Sequence, residues 1–201
     1  MSDIQRRDIL RSAAIATALG QLTPASAQHV HQQAGEAKQA NAGRYQPKLF
    51  NEQDYKTVTR LADLIMPPEG AAPGGAAAGA PEFIDLLCSG ADRLAQTWLG
   101  GLAWLNSASL KRYETSFLEA RPEQQTALLD LIAYRKNETP ELAPGIRFFD
   151  WARRMVVDAY FTSPAGVKAI GFQGNVGMQT FQVPVEAINY ALERSPFQRK
   201  P

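Results

Sequence analysis

A small all-α domain is the fold this 201-residue sequence predicts. Three observations predict it. Apolar residues recur at spacings of three and four through most of residues 49–160. Helix-starting and helix-stopping residues bracket those runs. No convincing strand-type alternation occurs before the glycine-containing tail that begins at Gly171.

The chain opens with a leader. Arg6 and Arg7 stand together, Arg11 follows one turn later, and residues 12–20 are small and uncharged. Ala25-Ser26-Ala27 then supplies the A-x-A pattern of a signal-peptidase site. The apolar run is shorter than the roughly 20 residues a membrane-spanning helix needs. Gln5-Arg6-Arg7-Asp8-Ile9-Leu10-Arg11 resembles the twin-arginine export signal, with Gln5 and Ile9 as departures from its pattern. That resemblance implies export of a folded protein to the periplasm. Residues 28–47, rich in Gln, Ala and Gly, read as a disordered leader, and residues 48–201 as one helical domain.

Within that domain Asn51 is an N-cap candidate, with Glu52 and Asp54 suited to the first turn. Tyr55, Val58, Leu61, Ala62 and Ile65 carry the first apolar stripe, and Pro67-Pro68 ends the helix. Residues 69–80, EGAAPGGAAAGA, read as a long flexible loop that orders on a partner. Pro81 and Glu82 open a second helix whose stripe runs from Phe83 to Leu102, with Gly100-Gly101 as its bend or break. Ser107 is the expected cap of a short third helix through Tyr113 and Phe117. Pro122 suits the first turn of a fourth, with Leu128, Leu129, Leu131 and Ile132 on its apolar side. Residues 137–145 are a loop, and Phe148, Phe149, Trp151, Ala152, Met155, Val156, Ala159 and Tyr160 make a heavily apolar fifth helix. Ser163-Pro164 restarts a short one, which Gly171 ends. PVEAINYALERSPF, near the C-terminus, reads as one more short helix.

Charge and chemistry exclude more than they offer. With 21 Lys+Arg against 20 Asp+Glu, the chain lacks the basic excess of a nucleic-acid binder. Its single cysteine, Cys88, sits in an apolar pattern and reads as a buried thiol. It cannot form an internal disulfide or a CxxC couple. His29 and His31 are the only histidines, and both fall in the leader, so the folded part has none for a triad or a metal. Gly171, Gly174 and Gly177 have neither the spacing nor the strand context of a dinucleotide fingerprint. Asp63, Asp85, Asp150 and Asp158 lie beside apolar residues on predicted helices. They are the acid–base candidates, although no spacing singles out a pair. Arg153-Arg154 suit ion pairs on the helix surface. No catalytic, cofactor-binding or metal-binding residue is assigned, and the isolated chain is expected to bind no flavin, haem, cluster or metal.

Five stretches resemble one known family. They are LADLIMPPEGA (61–71), GAPEFIDLL (79–87), LAWLNSASLKRYETSFLEARPEQQTALLDLIA (102–133), FFDWARRMVVDAYFTSPAGVKAIGFQGN (148–175), and the twin arginine at the start. Together they are similar to the gluconate 2-dehydrogenase subunit 3 family. The resemblance implies a non-catalytic small subunit that escorts and stabilises a large FAD-bearing subunit of the glucose–methanol–choline type. A cytochrome c subunit often joins such complexes, which are membrane-associated. On this reading Arg6 and Arg7 export both chains, and FAD belongs to the partner. The alternatives are a stand-alone periplasmic binding or scaffold protein and an enzyme using buried carboxylates. Phe148, Phe149, Trp151, Met155 and Tyr160 crowd nearly all sides of one helix. They are therefore the candidate anchors of a partly apolar partner interface of more than about 2,000 Å².

Overall fold

A computed structural model describes residues 23–172 and 182–195. Arg6 and Arg7 lie outside the described residues, as do Gly174 and Gly177. Eight α-helices occur among the described residues, with one isolated β-bridge between Glu69 and Ala72. They are α1 (Pro24–Ala40), α2 (Glu52–Ile65), α3 (Ala80–Ser89), α4 (Asp92–Tyr113), α5 (Pro122–Ala133), α6 (Ala143–Thr162), α7 (Pro164–Ala169) and α8 (Val185–Arg194). The all-α reading holds.

Several boundaries fall where side-chain chemistry puts them. Asn51 Oδ1 accepts the Asp54 N–H at 2.8 Å at the head of α2. Pro122 occupies the first turn of α5, and Gln124 reaches back to accept the Arg121 N–H at 3.0 Å. Ser163 Oγ accepts the Gly166 N–H at 3.0 Å and starts α7. Each such bond satisfies one of the donors a helix leaves free at its N-terminus.

Two helices form the middle of the fold. Every residue of α3 from Ala80 to Cys88 is buried, with α1, α2, α4 and α6 packed around it. In α6, Phe148, Phe149, Ala152, Met155, Val156, Ala159 and Tyr160 are all buried. α3 is enclosed by its neighbours, whereas α6 keeps one exposed face, with Arg147, Arg153, Arg154 and Asp158 on it. Trp98 from α4 packs on α6, its indole N–H on Met155 Sδ at 3.0 Å and its ring edge-on to Phe148 at 5.5 Å.

Four expectations are corrected. Residues 28–40 are not a disordered leader: they belong to α1, capped by Thr23, whose side chain accepts the Ser26 N–H. Ala27, Val30 and Ala34 are buried on α3 and α6. A stripe of such small side chains carries little hydrophobicity, but it lets the helix approach closely and bury what it has. The long apolar stripe from 83 to 102 is broken at Gly90, which terminates α3, and not at Gly100-Gly101. Helix α4 runs straight through that pair because Gly101 receives the Phe148 ring from α6. Ser107 is therefore mid-helix and caps nothing. The 69–80 segment is ordered by its own chain and needs no partner. The Gly75 N–H donates to the Met66 carbonyl at 2.8 Å, and the Ala76 N–H to Asp63 Oδ1 at 2.9 Å. A side chain at Gly75 would collide with the Ala62 carbonyl of α2. This close approach explains the glycine.

Candidate functional site

The five candidate interface residues separate. Phe148, Phe149, Met155 and Tyr160 are 9 % exposed or less, packed inside the domain's own core. They are not available as anchors, which corrects the expectation drawn from their crowding on one helix. The crowding has another cause: α6 is central, with neighbours from α1 to α5 and α7 on its several sides. Trp151 alone is half-buried. It lines a cleft with Arg135, Glu138, Ile146, Arg147 and Asp150. The surface beside it is ionic, since Asp150 holds Arg154 at 2.8 Å and Arg153 at 3.3 Å.

The four aspartates also separate, and none pairs with another. Asp150 forms the ion pairs just given, as expected for Arg153-Arg154. Asp63 pins the glycine-rich segment. Asp158 is exposed, and desolvation holds its carboxyl above the ordinary value. Asp85 is fully buried and accepts four hydrogen bonds. Tyr45 Oη and the Lys48 N–H donate to Oδ2 at 2.8 and 2.7 Å, and the Leu49 and Phe50 N–H groups to Oδ1 at 3.0 Å each. A carboxylate so fully occupied ties down the entry to α2 and has no lone pair free for a substrate.

One turn before Asp85, the sequence reading missed Glu82 as anything beyond a helix start. It is 7 % exposed, and Oε1 meets Lys38 Nζ of α1 at 2.5 Å. Tyr45 and Tyr55 stack at 5.9 Å beside these two carboxylates. Burial first, then the carboxylates, push both phenols well above their ordinary values, so they stay protonated donors. Cys88 is a buried free thiol, as expected, and burial pushes its pKa up, which leaves it unreactive. The signal for Glu82 was faint: an acid in a first turn usually faces solvent, and Lys38 is 44 positions away in sequence.

His31 lies within the folded part, on α1, and not in a leader as its composition suggests. Its Nε2 is 3.1 Å from Thr162 Oγ1, and its ring lies 4.8 Å from that of Phe83. The Thr162 hydroxyl donates to the Asp158 carbonyl, so Nε2 is the donor toward Thr162. His29 is exposed, so the two histidines do not converge. Among the described residues, no group of three or more His, Cys, Asp or Glu could hold a metal ion. Desolvation lowers the His31 pKa from 6.5, outweighing the Ala159 carbonyl and Glu82, which raise it. The unfolded chain therefore binds this proton more readily than the folded one. His31 contributes its full stability above pH 6.5, and that contribution is lost as pH falls through the lowered folded value. Thermal melts between pH 7.5 and 5 should show a falling midpoint, and His31→Gln should flatten that fall. An unchanged slope in the variant would assign the titration elsewhere.

His31, Lys38 and Glu82 open onto one cavity of about 590 Å³ between α1, the 77–79 turn and the start of α7. Gln28 and Gln32 are its other long polar side chains, and Ala34, Ala78, Pro164 and Val167 line it with apolar surface. No helix among the described residues is long and apolar enough to cross a membrane.

The arrangement thus has a well-tied polar interior, a side cavity and no assembled reaction centre among the described residues. No curated protein matches the chain, and neither does any solved structure. Residues 52–177 match the family described as Gluconate 2-dehydrogenase subunit 3. The match starts at the first turn of α2 and takes in α3 to α7; α1 and α8 fall outside it. The chain belongs to the gluconate 2-dehydrogenase subunit 3 family, and so to the subunits of dehydrogenase complexes.

Proposed function

We propose that this chain is the non-catalytic small subunit of an FAD-dependent sugar or sugar-acid dehydrogenase. It escorts a large flavoprotein of the glucose–methanol–choline type to the periplasm by the twin-arginine route and stabilises it there. FAD sits in the partner, and a cytochrome c subunit accepts the electrons where one is present. The observation that carries this reading is the distribution of exposed apolar side chains. Phe161, Ile170, Phe172, Val185, Ile188, Tyr190 and Leu192 are all 40 % exposed or more, and they cluster in the last part of the chain. Isolated exposed apolar residues are ordinary, but such a run along the last part of the chain supports a partner-binding role for that part. None of the residues of α8 is buried, though the helix carries Val185, Ile188 and Leu192. Trp151 is the interface candidate that remains accessible.

The export half of the proposal is tested by replacing Arg6 and Arg7 with lysine and co-expressing the chain with its flavoprotein. Periplasmic dehydrogenase activity is expected to fall to background, with flavoprotein retained in the cytoplasm. Activity that stays in the periplasm at wild-type level would refute the escort role.

A further inference from the structure

The Ala25-Ser26-Ala27 motif does not lie in a leader or a linker. It forms the first turn of α1, which starts at Pro24. The Ala27 N–H donates to the Thr23 carbonyl at 3.0 Å, and the Ser26 N–H to Thr23 Oγ1 at 3.2 Å. Ala27 is 0 % exposed, and so is Val30. The rest of the helix is fastened to the domain by His31 on Thr162 and Phe83, Ala34 in the core and Lys38 on Glu82. The bond between Ala27 and Gln28, where the motif directs a cut, is thus inside a packed helix. Proteolysis favours exposed segments whose backbone is free of hydrogen bonds and burial. The Ala27 methyl cannot fill the domain's core and a peptidase pocket at once. Fraying of the helix end frees Ala25, which is already exposed, but not Ala27. To present the bond, α1 must unwind from its Thr23 cap to Val30 and give up the seats of both buried side chains. Cutting of the folded chain then follows the small population of that opened state.

We propose that signal peptidase does not cut the folded chain at Ala27–Gln28, and that the mature subunit keeps α1 whole, with any processing falling before Thr23. The inference rests on export of the folded chain, as read above. A chain exported unfolded meets the peptidase before α1 forms and loses residues 1–27. A chain exported folded arrives with Ala27 already seated between α1 and the helices it packs on, α3 and α6. The position of the N-terminus therefore reports the state in which the chain crossed the membrane. It also decides which surface meets the partner. The exposed side chains of Gln28 and His29 lie on α1 just past the motif, and a subunit that keeps the Thr23 cap presents them on an intact helix.

The test isolates the complex, co-expressed with its flavoprotein, from the periplasm and measures the intact mass and N-terminal sequence of this chain. The expected N-terminus lies at Thr23 or before it. An N-terminus at Gln28, in a chain whose export still needs Arg6 and Arg7, would overturn the proposal and leave the escort reading standing. So would an N-terminus at Gly43, since Ala40-Asn41-Ala42 repeats the motif at the exposed end of α1 and a cut there removes the helix. Export that does not need the two arginines would remove both readings. Two variants test the helix as the cause. Val30→Asp puts a charge into the core seat of α1 and should raise the share of chains beginning at Gln28 about tenfold or more. A Gly/Ser insertion of about eight residues between Ala27 and Gln28 moves the motif into a free linker and leaves Val30, Ala34 and Lys38 in place. It should bring the same cut without disturbing the core, so the test stands where Val30→Asp does not fold. If the chain with the insertion stays uncut at Ala27, the packing of α1 is not what protects the bond, and the proposal falls.

Discussion

Asp85→Ala is expected to lower the unfolding free energy by about 4 kcal/mol or more, a large part of the roughly 5–15 kcal/mol a domain has. The substitution removes little volume but leaves four donors without an acceptor: the Tyr45 hydroxyl and the Lys48, Leu49 and Phe50 N–H groups. Each stranded donor in a buried site costs on the order of 1–3 kcal/mol. Asp85 is itself 0 % exposed, and the Phe50 that it orients is 4 % exposed and packs edge-on to Trp98 at 6.1 Å. Loss of the carboxylate therefore loosens the chain entering α2 as well as the acceptor site. Urea unfolding should show a lower midpoint with an unchanged slope, if the variant still folds. Asp85→Asn separates charge from geometry. Its oxygen can keep the Leu49 and Phe50 donors, while its amide turns a donor toward the Lys48 N–H. It should lie between wild type and alanine. A loss of under about 1 kcal/mol in Asp85→Ala would show that the 45–50 segment is held by its apolar contacts alone.

The elements that were legible in the sequence owe their position to local chemistry. Asn51, Pro122 and Ser163 act within four residues of themselves, so the starts of α2, α5 and α7 could be read directly. The misread elements depend on residues far away in sequence. The Gln, Ala and Gly of residues 28–40 look unable to hold a fold, and become a helix because Ala27, Val30 and Ala34 meet α3 and α6. The aromatic crowding on α6 was visible, but not its meaning. Aromatics spread around a helix are equally consistent with a central position and with a surplus for a partner, and only the placement of α1 to α5 and α7 around it decides. The candidate site was the least legible part. Asp85 serves residues 35–40 positions upstream, and Glu82 meets Lys38 on α1, a helix whose Gln, Ala and Gly give little local sign of order. The family resemblance was legible because residues 52–177 keep their motifs in order, and it stops short of both terminal helices.

Gly100 and Gly101 are neighbours on α4 and should respond to alanine with opposite signs. Gly100 is exposed, and a Cβ there meets nothing within 4 Å. Alanine in its place should stabilise the chain by about 0.5–1 kcal/mol, since glycine is the poorer helix former. Gly101 is buried, and a Cβ there would lie well inside contact distance of the Phe148 ring. The crossing of α4 and α6 is notched twice, because Gly145 of α6 receives the Trp104 ring of α4 in the same way. The Phe148 ring has no room to retreat: it is 4 % exposed and set edge-on against Trp98, which is 1 % exposed. Gly101→Ala must push the two helices apart or force Phe148 off its rotamer, at a cost of about 1–3 kcal/mol after the helix-propensity gain. Gly101→Val should cost more, because its branched side chain adds bulk to the clash. Phe148→Leu supplies the control, since a smaller, non-planar side chain frees part of the notch. In a double-mutant cycle, Gly101→Ala should cost less in the Phe148→Leu background than in wild type, by about 0.5–2 kcal/mol. Equal thermal midpoints for Gly100→Ala and Gly101→Ala would mean that α4 and α6 do not cross at this notch, and with it would go the reason α4 runs unbroken through two adjacent glycines.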